Sequence, residues 1–153
     1  AEATYRTIYY NASEGIYQSS PEGCYLMANP SLARIYGYAS SNSLITELND
    51  IKHQLYVNPQ QREEFEQILI QRGYISGFEA EGYRRDGTTL WISENGRLVR
   101  DEQGYPIYYE GFVTDISDRK KAKREREWFI NLSRNLLCLF SLEGDFTEVG
   151  PAW

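Results

Sequence analysis

Residues 83–104 read YRRDGTTLWISENGRLVRDEQG, and this stretch decides the fold. Asp86-Gly87 is a strong signal for a tight hairpin turn, and Asp101–Gly104 is a second turn signal. Between them, residues 88–100 alternate apolar and polar side chains, as a half-buried strand does. Similar runs precede the first turn and follow the second. The stretch therefore predicts three consecutive antiparallel strands, at residues 75–85, 88–100 and 106–116.

The N-terminal half supplies two more strands and the helices. Short runs at Gly15–Ser19 and Cys24–Ala28 flank a Ser-Pro-Glu-Gly turn signal and predict a hairpin. A helix is expected at residues 3–13. Asn29-Pro30 and Asn58-Pro59 each predict the start of another, because asparagine caps a helix and proline fits its first turn. The order of elements predicts an α+β fold with five antiparallel strands and helices packed on one face.

Composition and charge limit the classes of function. The chain has 153 residues, 41% of them hydrophobic, and a formal net charge of −6. Residues 118–127 hold six Lys/Arg, but three acidic residues dilute them, so we expect a solvated helix surface rather than a nucleic-acid site. No apolar run approaches the ~20 residues of a membrane span. The sequence predicts a cytoplasmic protein without direct membrane contact, in which Cys24 and Cys138 are reduced thiols.

The sequence does not carry the common catalytic motifs. His53 is its single histidine, and it contains no GxSxG, no phosphate-cradling glycine loop and no paired acids at fixed helical spacing. We therefore expect a non-catalytic module.

A weak internal repeat is present near the C-terminus. Glu22-Gly23 recurs as Glu143-Gly144, and Asn29-Pro30 recurs as Gly150-Pro151, both 121 residues later. The run CLFSL (138–142) parallels the first predicted strand. Copies at a fixed offset indicate an array, so the sequence predicts that residues 128–153 are the truncated start of a second copy.

Four stretches together resemble the PAS (Per-Arnt-Sim) sensory domain family: NASEGIYQSSPEG (11–23), NPSLARIYGY (29–38), the opening stretch, and YYEGFVTDISDRKKA (108–122). The resemblance runs from Tyr5 to Lys121. It implies an N-terminal helix at 1–12, a PAS domain at 13–117 with a cavity between sheet and helices, and a linker helix at 118–127. It also implies a sensory and dimerisation module of a larger bacterial signalling protein, such as a histidine kinase or cyclase. The alternative is an interaction or relay module without a ligand.

The alternation of side chains predicts which residues line the cavity. Along residues 88–98, Leu90, Ile92, Glu94 and Leu98 share the more apolar face, which we place inward. Hairpin pairing brings residues of the two neighbouring strands to the same face. The candidate ligand-pocket residues are Phe78, Ala80, Ile92, Glu94, Tyr109 and Val113.

Glu94 is the exception in this apolar set, because a buried carboxylate is costly unless it is paired. Three readings stay open. Glu94 is paired with a helix, for instance with Arg34 or backbone N–H groups; or it binds a polar ligand or senses protonation through a raised pKa; or the inward and outward faces are reversed.

The residues do not favour the cofactors known in the resembled family. Its flavin-binding light-oxygen-voltage branch has the motif GxNCRFLQ on the central helix. The comparable stretch here, LNDIKHQLY (48–56), has no cysteine. Gly82, Ile92 and Val113 stand where that branch has amide side chains. Haem-binding relatives use a histidine, but a lone His53 is more typical of the surface. Neither flavin, haem nor a metal is expected, and the identity of a ligand stays open.

Two further features suggest a surface for dimerisation and a junction that transmits the signal. Trp91 and Tyr108 are expected on the outer sheet face, where the resemblance implies packing against the leading helix (Tyr5–Tyr10) and a homodimer. Asp115 and Ser117 resemble the acidic and hydroxyl residues of the family's D-I-T signature. As helix-capping types, they are predicted to join the last strand to a helix without a flexible turn and to transmit the signal to neighbouring PAS and effector domains.

Overall fold

The computed structural model describes residues 2–142. They form six helices and five strands in the following order: α1 (Glu2–Asn11), β1 (Gly15–Ser19), β2 (Tyr25–Ala28), α2 (Pro30–Ile35), α3 (Ser41–Glu47), α4 (Ile51–Gln54), α5 (Pro59–Arg72), β3 (Tyr74–Tyr83), β4 (Thr89–Arg100), β5 (Pro106–Asp115) and α6 (Ser117–Leu142).

The strands make one antiparallel sheet in the order β2-β1-β5-β4-β3. The predicted five-stranded α+β fold is confirmed. The hairpin between β3 and β4 turns at Gly87, whose φ of 86° is a left-handed value that glycine adopts without strain. Because β1 joins β5 in the middle of the sheet, the N-terminal hairpin and the last strand are direct neighbours.

Asn29 holds the N-terminal elements together as well as capping α2. Its Oδ1 accepts hydrogen bonds from the backbone N–H groups of Leu32 (3.0 Å) and Ile16 (2.9 Å). Its Nδ2 donates to the carbonyls of Tyr9 (2.9 Å) and Glu14 (3.0 Å). The predicted cap is therefore confirmed, and one buried side chain ties α1, β1 and α2 together.

The core lies between the inner sheet face and helices α2 to α5, in two clusters. The larger contains Ala80, Ile92 and Val113 from the sheet, packed against helix residues such as Leu32 and Ile51. The smaller contains Phe65 and Leu69 of α5 with sheet residues that include Tyr109. Phe78 is half-buried and packs against both.

Gly96 and Gly111 are paired across β4 and β5. A Cβ atom on Gly111 would lie 2.0 Å from the carbonyl oxygen of Asn95, which is a severe overlap. The backbones approach so closely here that residue 111 has to be glycine.

One continuous helix of 26 residues follows the sheet. The chain divides into one compact unit that ends at Ile116 and another that begins at Ser117. CLFSL (138–142), which parallels the first predicted strand in the proposed repeat, does not form a strand here, because these residues continue α6. A short apolar run without glycine or proline fits either element, and here it extends a helix that has already formed. The rest of the predicted second copy, residues 143–153, lies outside the described residues. Across residues 2–142, none of the helices is both long and apolar enough to cross a membrane.

Candidate functional site

The structure buries the predicted pocket residues on the inner sheet face. Ala80, Ile92, Val113, Tyr109 and Glu94 are all buried, and Glu94 is only 3% exposed. The inward face was therefore assigned correctly, and the reading with reversed faces is wrong. The set does not form one group, because Tyr109 packs in the smaller cluster with Phe65.

Glu94 is paired with Tyr56 rather than with Arg34. The Tyr56 hydroxyl donates a hydrogen bond of 2.6 Å to Oε2 of Glu94, a short distance typical of a carboxylate acceptor. Tyr56 follows α4, and a backbone bridge to Gly82 holds it against β3. Arg34 instead donates to the hydroxyl of Ser31 at 2.8 Å. Glu94 is therefore paired, with Tyr56 in place of the suggested Arg34. That it binds a polar ligand or senses protonation stays a prediction.

Arg62 of α5 is the second charged group of this interior and is only 2% exposed. Its Nε donates to Oε1 of Glu66 at 2.9 Å. Its guanidinium carbon lies 5.0, 5.6 and 5.8 Å from the ring centroids of Phe65, Tyr109 and Tyr56, distances at which a cation is attracted to an aromatic face. Its Nη2 has no hydrogen-bond partner.

Tyr17 of β1 completes the group, which we call the polar cluster: Tyr17, Tyr56, Arg62 and Glu94. The Tyr17 side chain is 1% exposed; its hydroxyl makes no close hydrogen bond, but it lies near enough to Glu94 to lower the pKa of that carboxyl. The hydroxyl lies close enough to Glu94 for the carboxylate to raise the pKa of Tyr17, adding to the larger effect of burial.

Burial disfavours the charged forms of Glu94 and Arg62, and their neighbours in the polar cluster offset this effect. Burial raises the pKa of Glu94, while Arg62 and the hydroxyls of Tyr56 and Tyr17 act against that rise. Burial would lower the pKa of Arg62, but Tyr56 and Glu94 raise it above its usual value. Arg62 therefore stays charged. The ionisation of Glu94 depends on how far Arg62, Tyr56 and Tyr17 offset the effect of burial on its pKa.

Sequence reasoning found Glu94 but missed Tyr17, Tyr56 and Arg62. The segment PQQREEFEQ (59–67) is strongly polar, so Arg62 resembles a solvent-exposed residue. A signal was present nonetheless, because Arg62, Phe65 and Leu69 have the i, i+3, i+7 spacing of one helix face, and all three are buried.

The predicted transmission residues flank the junction between strand and helix. Asp115 ends β5 and Ser117 begins α6, so only Ile116 lies between them. The backbone N–H of Ile116 donates to the carbonyl of Trp91 at 2.9 Å. Glu94 stands opposite Val113, and Ile92 stands opposite Asp115. The polar cluster and the junction are thus two cross-strand pairs apart.

The other candidate ligands of a cofactor lie apart from the polar cluster. His53 is exposed, and its Nδ1 lies 2.9 Å from Oδ2 of Asp50. Cys24 contacts the carbonyl of Asn49 at 3.3 Å. In the part of the chain that the structure describes, no group of three or more His, Cys, Asp or Glu side chains is arranged to hold a metal.

The outer sheet face carries an apolar groove of about 690 Å³ beside α1. Tyr108 lines it, as expected for the outer face, whereas Trp91 lies outside it. Tyr74 is 62% exposed there and Phe112 is 47% exposed. We call this the outer groove. It is lined by residues that include Tyr5, Ile8, Tyr9, Met27, Tyr74, Tyr108 and Phe112.

Comparisons with known proteins agree with this architecture. A family model described as PAS fold matches residues 25–113. The sensor histidine kinase TmoS of Ectopseudomonas mendocina is 24% identical over 127 residues; these cover 80% of this chain but only 12% of that protein.

Two solved structures share the fold at low sequence identity. A PAS domain from Colwellia psychrerythraea superposes with a TM-score of 0.62 at 19% identity, covering 76% of this chain and 98% of that one. A sensory box histidine kinase/response regulator structure from Burkholderia thailandensis gives 0.62 at 22% identity, covering 88% and 96%.

Proposed function

The chain belongs to the PAS family, and from that premise we propose that it is a non-catalytic sensory module of a larger signalling protein. The module relays the state of its polar cluster through β5 into α6. The similarity to a sensor histidine kinase of which the chain covers only 12% supports a multidomain parent. The recurrence of Glu22-Gly23 at Glu143-Gly144 supports a following copy of the fold.

The observation that carries this proposal is the short path from Glu94 to the junction. Glu94 faces Val113, Ile92 faces Asp115, and the residue after Asp115 is hydrogen-bonded to Trp91 of β4. A shift of Glu94 relative to its helix partners therefore displaces β4 and β5 beside the start of α6. With no glycine or proline between strand and helix to absorb it, the displacement reaches the helix.

Inserting Gly-Gly after Ser117 in the full-length protein tests the relay. We expect output to become independent of the input signal, while the thermal stability of the domain is unchanged. The matched control inserts Gly-Gly after Glu102, in the exposed turn between β4 and β5, and keeps normal output. Signalling that survives the Ser117 insertion would overturn the proposed relay.

A second candidate function, an interaction module that acts without a ligand, is favoured by the outer groove. Large apolar side chains such as Tyr74 and Phe112 are exposed there, and contiguous apolar patches of this kind mark interaction surfaces. In this reading, a second copy of the chain covers the groove and α1, and the homodimer transmits changes in its own geometry.

Sedimentation analysis of Phe112→Ser tests the dimer. We expect the dimer dissociation constant to rise at least tenfold, because an aromatic side chain is lost from the interface. The control Tyr105→Ser removes an exposed aromatic in the turn before β5, outside the outer groove, and leaves association unchanged. Equal dimer dissociation constants for Phe112→Ser and Tyr105→Ser would contradict a dimer interface at the outer groove.

A further inference from the structure

Asn29 connects the N-terminal helix to the sheet through a fully buried side chain. Its Nδ2 donates to the carbonyls of Tyr9 and Glu14. Its Oδ1 accepts from the N–H groups of Ile16 and Leu32, so the amide uses its full hydrogen-bonding capacity. We infer that Asn29 couples α1 to the junction before α6, so that a displacement of α1 reaches β5 through this side chain and β1. The inference rests on the proposed relay and gives it a second entry that does not involve the polar cluster.

The helix α1 is attached to the domain at its C-terminal end. Of its residues Glu2–Asn11, Tyr9 is the buried one, whereas Tyr5, Ile8 and Tyr10 are 58–59% exposed. The last four carbonyls of a helix have no partner within it, and Asn29 supplies the partner for the Tyr9 carbonyl at 2.9 Å. Because little else of α1 is buried, a tilt of this helix acts directly on the Asn29 amide.

The start of β1 is held closely to Asn29. The side-chain oxygen accepts from the N–H of Ile16 at 2.9 Å, and the backbone N–H of Asn29 donates to the Ile16 carbonyl at 3.0 Å. The neighbouring Gly15 lies against α2, where a Cβ atom would be 2.5 Å from Cδ1 of Leu32. A close-packed contact of this kind transmits strain, so β1 moves when Asn29 moves.

Val113 of β5 is the point where this route meets the one from the polar cluster. It is paired with Gly15 of β1 on one side and with Glu94 of β4 on the other. Its side chain is fully buried, and β5 ends two residues later, at Asp115. Coupling between distant sites travels through contiguous packed and hydrogen-bonded elements. Changes at α1 and at Glu94 therefore act on the same residue of β5, just before the junction.

Hydrogen exchange in the 153-residue chain, followed by NMR, tests the coupling. The N–H of Ile116, bonded to the Trp91 carbonyl at 2.9 Å, reports on the junction. The N–H of Tyr83, bonded to the Leu55 carbonyl at 2.7 Å, is the reference. Exchange through global unfolding changes both rates by the same factor, so the ratio of the Ile116 rate to the Tyr83 rate isolates a local change at the junction.

The perturbation of α1 is Ile8→Pro, because proline breaks the last turn of the helix at a residue that is 59% exposed and adds little packing. We expect the exchange ratio to rise at least about fivefold, the effect of one hydrogen bond. The control Ile8→Ala removes the same side chain, keeps the helix and leaves the ratio unchanged. Equal ratios in the two variants would overturn the inference.

Asn29→Ser tests whether the effect of Ile8→Pro passes through the amide. Serine still caps α2, but its side chain is too short to reach the carbonyls at the end of α1. In this background, Ile8→Pro should leave the exchange ratio unchanged, whereas in an Asn58→Ser background, where the cap of α5 is altered in the same way, the full response should persist. A fivefold rise that survives Asn29→Ser would refute the role of Asn29. If Asn29→Ser does not fold, the isosteric Asn29→Asp replaces it.

The outcome separates this inference from the proposed function. A raised exchange ratio in Ile8→Pro, together with output of the full-length protein that survives the Gly-Gly insertion after Ser117, supports the coupling and removes the relay. Loss of output on that insertion with an unchanged ratio supports the relay and removes α1 as an entry to it.

Discussion

Replacing Arg62 with methionine tests whether the buried guanidinium balances the charge of Glu94. Methionine keeps an unbranched stem of similar shape and removes the charge. The Glu94 carboxylate would then be buried with only the Tyr56 and Tyr17 hydroxyls beside it. Breaking a buried ion pair in direct contact costs about 3–5 kcal/mol. Because the direct ion pair of Arg62 is with Glu66 and it acts on Glu94 through charge alone, we expect the free energy of unfolding to fall by the lower end of that range, about 3 kcal/mol, near neutral pH.

Only a small part of this loss comes from the other partner of Arg62. Glu66 is partly exposed, and ion pairs that solvent reaches contribute about 1 kcal/mol or less. The remainder depends on Glu94. In a Glu94→Gln background, Arg62→Met should therefore cost much less, and the double-mutant cycle should give a coupling energy of about 2 kcal/mol or more.

The pH dependence has a defined sign. Burial raises the pKa of Glu94 in the folded protein, so its contribution to stability is fully present below the unfolded pKa and is lost as pH rises through the folded pKa. Removing Arg62 raises that folded pKa further. Between the folded pKa values of the two proteins, the deficit of Arg62→Met grows with pH by up to about 1.4 kcal/mol per unit. Where Glu94 is protonated in both proteins, only the packing loss and the small contribution of the Glu66 ion pair remain.

Urea unfolding followed by tryptophan fluorescence across the acid and neutral range measures these effects. The matched control is Arg72→Met, an exposed arginine on the same helix, which should change stability by no more than about 0.5 kcal/mol. The reasoning is refuted if Arg62→Met costs less than about 1 kcal/mol, if its deficit does not change with pH, or if Glu94→Gln leaves the deficit unaltered.

Two further substitutions test the scaffold. Gly111→Ala should destabilise the domain by more than about 3 kcal/mol or prevent folding, because its Cβ would overlap the Asn95 carbonyl; a folded variant with normal thermal stability would contradict the close approach of β4 and β5. Asn29→Ala should cost about 2–4 kcal/mol and accelerate hydrogen exchange in α1, whereas Asn58→Ala, which removes a single exposed cap bond, should cost about 1 kcal/mol. Equal costs for the two asparagines would contradict the tethering role of Asn29.

Much of the fold could be predicted because its signals are local. The alternation along residues 88–98 assigned the inner face correctly, since a strand has only two faces and one side was clearly more apolar. Asn29 was recognised as a cap for an equally local reason. Its bonds to Tyr9 and Glu14 could not be foreseen, because they depend on where a distant helix and loop lie in space.

The composition of the site was less accessible, because its members come from separate elements. Tyr17, Tyr56 and Arg62 lie on β1, after α4 and on α5, and no sequence spacing relates them. The parallel between CLFSL (138–142) and the first strand was misleading for the opposite reason, because there the signal was purely local. Its local pattern suits both a strand and a helix, and its position at the end of α6 decides between them.

The position of the polar cluster determines how far a change must travel in the proposed relay. Glu94 and Ile92 are two residues apart on β4, and Ile92 faces Asp115. At about 3.3 Å per residue, the carboxylate is roughly 7 Å of strand from the pair that ends β5. Because Ile116 is bonded to Trp91, a small slide of β5 against β4 acts on the chain just before α6 begins. The insertion after Ser117 is therefore placed where such a displacement would be lost.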